Sequence, residues 1–369
     1  MAIKKIDIET FLTLSKSIPV FDVRSPAEYN HARIPDAISL PLFSDEERKV
    51  VGTLYKQKSR QQAIKAGLDF FGVKMKLMVE EVEAYFKKKH RIGDDAETPA
   101  LIVHCWRGGM RSAGVAWLLD LYGFTVYTLI GGYKSYRKWA LAQFEKTYPI
   151  KVLGGYTGSG KTEIIQEFIK QNIPALDLES IAGHRGSAFG NIGLPKQPSQ
   201  ECFENQLALS LYHVHEQAIN KSESIWLEDE SQRLGDVNIP KVFWDQMRSA
   251  KLYFLDLPFE QRLIHTITLY GNLDKMKMIS AIMRIKKRLG GLETKEAVSA
   301  FVEDRLEDCF RILLKYYDKQ YMKGMETRES LSENRTTISC ETVEVNNITL
   351  VIRATGNNSL FNKSSNTIL

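Results

Sequence analysis

Cysteine is scarce in this chain: only four among 369 residues, Cys105, Cys202, Cys309 and Cys340, widely scattered and with no CxxC pair. That spacing indicates neither a disulfide framework nor a zinc site, and it fits a reducing cytoplasm. No apolar run approaches the length needed to cross a bilayer, and no membrane partner is expected. The first residues, MAIKKIDIET, carry lysines but no following apolar core, so an export leader is not expected. Internal repeats are missing too. Strong charge is also lacking, the net being +5; residues 1–140 hold 22 basic against 16 acidic side chains and residues 141–369 hold 28 against 29. Neither half is basic enough to announce nucleic acid by bulk charge. Local clusters are the better candidates: Lys87 to Lys89 with Arg91, and Arg284 with Lys286, Lys287 and Arg288. Each suits a polyanion or is a solvated helix face.

What is present begins with LIVHCWRGGMRSAGVAWLLDLYG, Leu101 to Gly123. Apolar residues from Ala100 to Val103 lead into His104 and Cys105, a short loop holds two glycines, and apolar residues then recur at helical spacing. This predicts strand, tight loop and helix. Backbone N–H groups of Trp106, Arg107, Gly108, Gly109, Met110 and Arg111 can converge on such a loop, and the helix N-terminus adds partial positive charge. Cys105 is then a more readily ionised thiol, and Arg111 can fork onto a phosphate-like oxyanion. The alternative is a buried structural cysteine at a strand end.

Upstream, PVFDVRSPAEYNHARIPDAISLPLF places Asp22 and Arg24 at a strand end, followed by Ser25, Pro26 and Glu28 as a helix start. Asp22 and Arg24 are either substrate or metal contacts or an internal ion pair fixing the loop. The ordered motifs DVRSPAEY, ARIPDAISLP, the Cys105 loop and LIGGYKSYRKW resemble a rhodanese-like domain over residues 1–140. That resemblance implies that the loop cysteine carries a transferable sulfur or selenium as a persulfide-type adduct. Cys105 and Arg111 also satisfy C-x5-R, the spacing of cysteine phosphatases. A charged insertion near residues 44–78 is expected to be a helical hairpin, solvated or facing a nucleic acid or a partner domain.

A linker is expected over 141–149, and a second domain over 150–325. An apolar strand from Ile150 enters Gly155, Tyr156, Thr157, Gly158, Ser159, Gly160, Lys161 and Thr162, and a helix follows. This is G-x-x-x-x-G-K-[ST] in its strand-to-helix setting. The loop amides and Lys161 suit a diphosphate, and Thr162 suits a magnesium ion. Downstream, a strand over Ala175 to Leu178 leads to a glycine-bounded loop with His184, Arg185 and Ser187 that suits a second anion or substrate, or is a connector. Glu228, Asp229 and Glu230 follow another apolar strand where a magnesium-ordering acid belongs. Alternating strands and helices predict an α/β fold, in which the rhodanese-like domain is followed by a P-loop NTPase-like domain with a parallel sheet covered on both faces and a helical extension.

Residues 274–323 read as helical, with Met276, Ile279, Ile282 and Met283 on one apolar stripe suited to a core or to a lipid-like chain. Residues 326–369 are expected to form an extension, with a hairpin of Ile338 to Val345 and Ile348 to Ile352 and a disordered end from Gly356. As a whole, with GTLYKQ, HCWRGGMRS, GGYTGSGKT, HRGSAFG and WLEDES, the chain resembles the bacterial tRNA 2-selenouridine synthase family. The resemblance implies replacement of sulfur by selenium at C2 of wobble 2-thiouridine. The anticodon region of tRNA would be the partner, with geranyl diphosphate and selenophosphate as co-substrates and a selenophosphate-producing enzyme upstream. In the implied route Lys161 and magnesium take up the charge of the leaving diphosphate; Cys105 then takes selenium from selenophosphate or only positions it. A P-loop kinase or ATPase with a regulatory rhodanese-like module, and a non-catalytic binding module, are the competing classes.

Overall fold

The computed structural model describes residues 3–88, 99–328 and 334–356. Two compact units divide the chain, residues 1–142 together with 204–206, and the remainder. Both are α/β with parallel sheets.

In the first unit five strands, β1 (Lys4–Ile6), β2 (Val20–Asp22), β3 (Ile38–Ser39), β4 (Ala100–His104) and β5 (Thr125–Leu129), lie in the order β1-β5-β4-β2-β3. Every pairing is parallel. The central strand β4 reads as an unbroken apolar run because both its faces are covered; Leu101, Ile102 and Val103 are fully buried. Within the charged insertion, helices Asp45–Gln57 and Arg60–Gly72 pack on one another, and a third helix, Met75–Lys88, begins at its end and runs on past it. Phe71 and Met78, with Val79, Val82 and Phe86 further along the third helix, join the core of this unit. Lys89 and Arg91 of the first basic cluster lie outside the described residues.

The second unit holds β6 (Ile150–Gly155), β7 (Ala175–Leu176), β8 (Ile225–Glu228), a short antiparallel pair β9 (Arg233–Leu234) and β10 (Val237–Asn238), β11 (Lys251–Asp256) and β12 (Arg335–Ser339). Its main sheet runs β12-β11-β6-β8-β7, all parallel. The expected C-terminal hairpin is therefore corrected. Arg335–Ser339 is an edge strand of this sheet, and Ile348–Ala354 is a helix whose Ile348, Val351 and Ile352 pack under it. The alternating apolar residues of this stretch satisfy a parallel edge strand as well as a hairpin, and only long-range pairing separates the two. The residues after Gly356 are outside those described.

A helical layer, residues 275–326, has its own core around Met278, Ala281, Ile282, Phe301, Phe310, Leu313 and Leu314. The expected stripe is turned: Met276 and Met283 are 72% and 49% exposed, while Met278 is buried. Among the described residues no helix is long and apolar enough to cross a membrane.

Candidate functional site

The first constellation sits where β4 runs into helix Met110–Tyr122. Gly108 has φ +63°, and a Cβ there would lie 2.6 Å from the Leu129 carbonyl oxygen, so only glycine fits the turn. The loop is stapled from the side by the LIGGYK segment: the Tyr133 amide donates to the Cys105 carbonyl (2.8 Å) and the Lys134 amide to that of Trp106 (3.0 Å). The Cys105 sulfur then faces the Gly109 amide at 3.3 Å and the Ser112 hydroxyl at 3.3 Å. Burial works against ionising this thiol. The Ser112 hydroxyl and amide, the Arg107 amide and the Arg111 charge outweigh it and hold the thiol below its ordinary range.

Arg111 does not stand open to a ligand. Its Nη1 and Nη2 donate to the two carboxylate oxygens of Glu28 at 2.5 and 3.2 Å. Glu28 in turn accepts from the Ser25 amide as part of a capping box. Asp22 and Arg24 are an internal ion pair, Nη2 to Oδ2 2.6 Å, with Arg24 also donating to the Ala32 carbonyl. Both are shut off from solvent, as the ion-pair reading of these two residues expects. Their work is to brace the loop, since the Arg24 guanidinium lies 4.0 Å over the Tyr133 ring and Tyr133 stacks on Trp106. Trp106, Arg107, Gly108, Gly109 and Met110 form the exposed rim, where Arg60 of the insertion comes within 3.7 Å of the Met110 sulfur.

The second constellation is built where β6 enters helix Lys161–Lys170. Gly155, Gly158 and Gly160 all have positive φ. At Gly158 a Cβ would meet Thr266 Oγ1 at 2.4 Å and the Arg262 carbonyl at 2.7 Å. Lys161 Nζ lies across the loop, donating to the Gly155 carbonyl at 2.9 Å. Sequence reasoning missed the groups that brace this loop. Buried Arg262 donates to the Thr157 carbonyl (3.1 Å) and forks onto Asp318 at 2.9 and 2.8 Å. The Tyr321 hydroxyl accepts from the Gly155 amide (3.2 Å) and donates to Asp229 (2.7 Å), which Arg328 pairs at 2.6 Å. No local motif marks them, because they arrive from distant helices.

At the end of β8 the three acids separate by alternation. Asp229 turns to Tyr321 and Arg328. Glu228 and Glu230 turn to the other side, where they meet Glu179 of helix Leu178–Ala182; their oxygens lie within 4.8 Å of one another. Thr162 Oγ1 donates to Glu228 at 3.1 Å. Burial first, then the neighbouring negative charge, pushes Glu179 and Glu230 up to about 8 and Glu228 well above the carboxylate range. Among the described residues the fully buried Glu228 Oε1 has no hydrogen-bond partner. A hydroxyl and crowded carboxylates, one oxygen unpartnered, are a hard-oxygen donor set that fits magnesium.

These groups line a cleft of about 680 Å³. Arg185 and Ser187 are on its wall, as are Leu269, Tyr270, Tyr316 and Met325. His184 is not. Its ring is buried beneath Gly190 and Gly235, where a Cβ on either would meet it at 2.7 and 2.5 Å, and burial holds it below its usual range.

Residues 148–347 match the family model described as the tRNA 2-selenouridine synthase AAA domain, and residues 8–138 match the rhodanese-like domain. The tRNA 2-selenouridine synthase of Hydrogenovibrio crunogenus is 35% identical over 345 residues, 85% of this chain and 91% of that protein. That of Shewanella sediminis is 33% identical over 344 residues, 85% of this chain and 89% of that protein. A third, from Nitrosomonas europaea, is 38% identical over 248 residues, 66% of this chain and 61% of that protein. With both units matched and likeness sustained along most of its length, this chain belongs to the tRNA 2-selenouridine synthase family of enzymes.

Proposed function

We propose that this protein replaces sulfur by selenium at C2 of the wobble 2-thiouridine of tRNA, in two steps assigned to its two loops. In the first, the amides of Gly155 to Thr162 and Lys161 hold the diphosphate of geranyl diphosphate. The thiocarbonyl sulfur attacks the allylic carbon, the C–O bond breaks, diphosphate departs and the base loses its N3 proton. Magnesium held by Thr162 and Glu228 would add charge neutralisation at that diphosphate. The observation that carries this step is one cleft that joins the diphosphate cradle to an aromatic and apolar wall of Leu269, Tyr270, Tyr316 and Met325. A short prenyl chain with a diphosphate head needs such a pairing.

In the second step the Cys105 loop takes selenophosphate. The selenium there is already fully reduced, so a bond between Cys105 and selenium would need an oxidant. The balanced route has the Cys105 thiolate attack phosphorus; the P–Se bond breaks, and selenium leaves at the selenide level. It then adds to C2, the C–S bond breaks, geranyl thiol departs, and water frees phosphate from the cysteine. The low-lying thiol beside the Gly109 amide and Ser112 supports this role.

The test is mass spectrometry of nucleosides from 2-thiouridine tRNA treated with geranyl diphosphate and then selenophosphate. Wild type should give the S-geranyl and then the 2-selenouridine nucleoside. Lys161→Ala should stop before the first and Cys105→Ala before the second. A wild type that forms neither overturns the reading.

A further inference from the structure

In the helical layer of the second unit, Lys275 is paired with Asp304, Arg305 with Glu303 and Asp308, and Arg311 with Glu260 and Glu307. At one edge, four basic residues crowd into the five positions 284–288. Arg284, Lys286, Lys287 and Arg288, around the short helix Lys286–Leu289, are all exposed, and among the described residues none makes an ion pair. The nearest acid of the next helix, Glu293, turns back on Gly290.

This edge is continuous with the cleft. Arg288 lies in the cleft wall, as does Arg185, which is likewise without an ion pair among the described residues. Arg284 Nη2 donates to the Ala188 carbonyl at 3.0 Å, tying the edge to the loop that carries Arg185 and Ser187. Tyr270 and Tyr317 line the same cleft as the two arginines and the diphosphate cradle; Arg185 acts electrostatically on Tyr270 and Arg288 on Tyr317. Uncompensated charge at a cleft mouth raises the local concentration of anions. Exposed cations and tyrosines lining one cleft suit an RNA single strand, whose phosphates take the cations and whose bases stack.

We propose that Arg185, Arg284, Lys286, Lys287 and Arg288 form a lip that grips the backbone phosphates of a single-stranded RNA loop and delivers one of its nucleotides to the cleft. The inference rests on the tRNA reading above and adds the surface that binds it. A strand held this way presents its base toward Tyr270 and Tyr317 while its phosphates stay outside.

The experiment is tRNA binding by fluorescence anisotropy across a salt series, using the full chain, Arg284→Gln/Lys286→Gln/Lys287→Gln, and, as a surface control in the first unit, Lys76→Gln/Lys87→Gln. If three phosphate contacts are lost, the slope of log affinity against log salt falls by about 2, at about 0.7 for each single-strand phosphate. At low salt the triple variant should bind on the order of tenfold or more weakly. Geranyl transfer to tRNA should show a raised KM with kcat kept, and transfer to a free 2-thiouridine nucleoside should be unchanged. A triple variant with the wild-type slope and affinity overturns the lip. A wild type that binds no tRNA at all overturns the tRNA reading instead. A variant that loses activity on the free nucleoside as well shows damage to the cleft, and that too rejects the assignment.

Discussion

Replacing Ser112 by alanine should make Cys105 a weaker acid by an amount the geometry sets. The Ser112 hydroxyl has one hydrogen and two acceptors, the Gly109 carbonyl at 3.1 Å and the Cys105 sulfur at 3.3 Å. When the thiol ionises, that hydrogen turns to sulfur. A hydrogen bond to a charged group contributes about 1.5–3 kcal/mol, and the surrendered bond to Gly109 about 1 kcal/mol. The net gain of about 0.5–2 kcal/mol centres on about one pKa unit. Ser112→Ala should therefore raise the Cys105 pKa by about one unit and cut its thiolate fraction near neutrality by up to tenfold. The assay is the rate of iodoacetamide alkylation against pH in a Cys202→Ser background. Cys309 and Cys340 are buried, and burial raises both thiols, Cys309 to about 12, so they stay silent. Ser112→Thr, which keeps the hydroxyl, should restore the wild-type midpoint. An unchanged midpoint in Ser112→Ala would refute the role given to this contact.

Two other perturbations probe the second unit. Arg328 and Asp229 are a buried pair, 3% and 6% exposed at the side chain, so Arg328→Met should cost about 3–5 kcal/mol in urea unfolding by stranding Asp229; Arg328→Met with Asp229→Leu should recover much of it. The crowded acids set a pH dependence. Because Glu179 and Glu230 are raised to about 8, the folded state holds protons that the unfolded chain gives up above 4.5. Their contribution is present below about pH 4.5 and fades as pH rises through about 8. Without divalent cation the thermal midpoint of this unit should fall over that window. Magnesium should restore it most at the alkaline end, and Glu228→Gln should shrink the magnesium increment; a flat profile would contradict the carboxylate cluster.

The local elements were legible because their signals are local. The run Ala100 to Val103 before Cys105 and the glycine spacing from Gly155 to Thr162 each encode strand, loop and helix within a few residues. What the sequence concealed is what tertiary contact decides. Glu28 sits 83 positions before Arg111 and takes both of its guanidinium donors. Glu179, Tyr321 and Arg328 reach the second loop from elements far along the chain. Asp229 differs from its acidic neighbours only by strand alternation, which cannot be phased until the end of β8 is known. The edge strand Arg335–Ser339 pairs with β11 across about eighty residues, and periodicity alone cannot tell that from a local hairpin.

The central claim is that the two loops carry separate steps, and one measurement isolates it. Transfer RNA already bearing S-geranyl-2-thiouridine is given selenophosphate together with Lys161→Ala or Cys105→Ala, and the nucleosides are read by mass spectrometry. The account predicts that Lys161→Ala forms 2-selenouridine at close to the wild-type rate and that Cys105→Ala does not. Loss of selenation in Lys161→Ala, or its survival in Cys105→Ala, would contradict it.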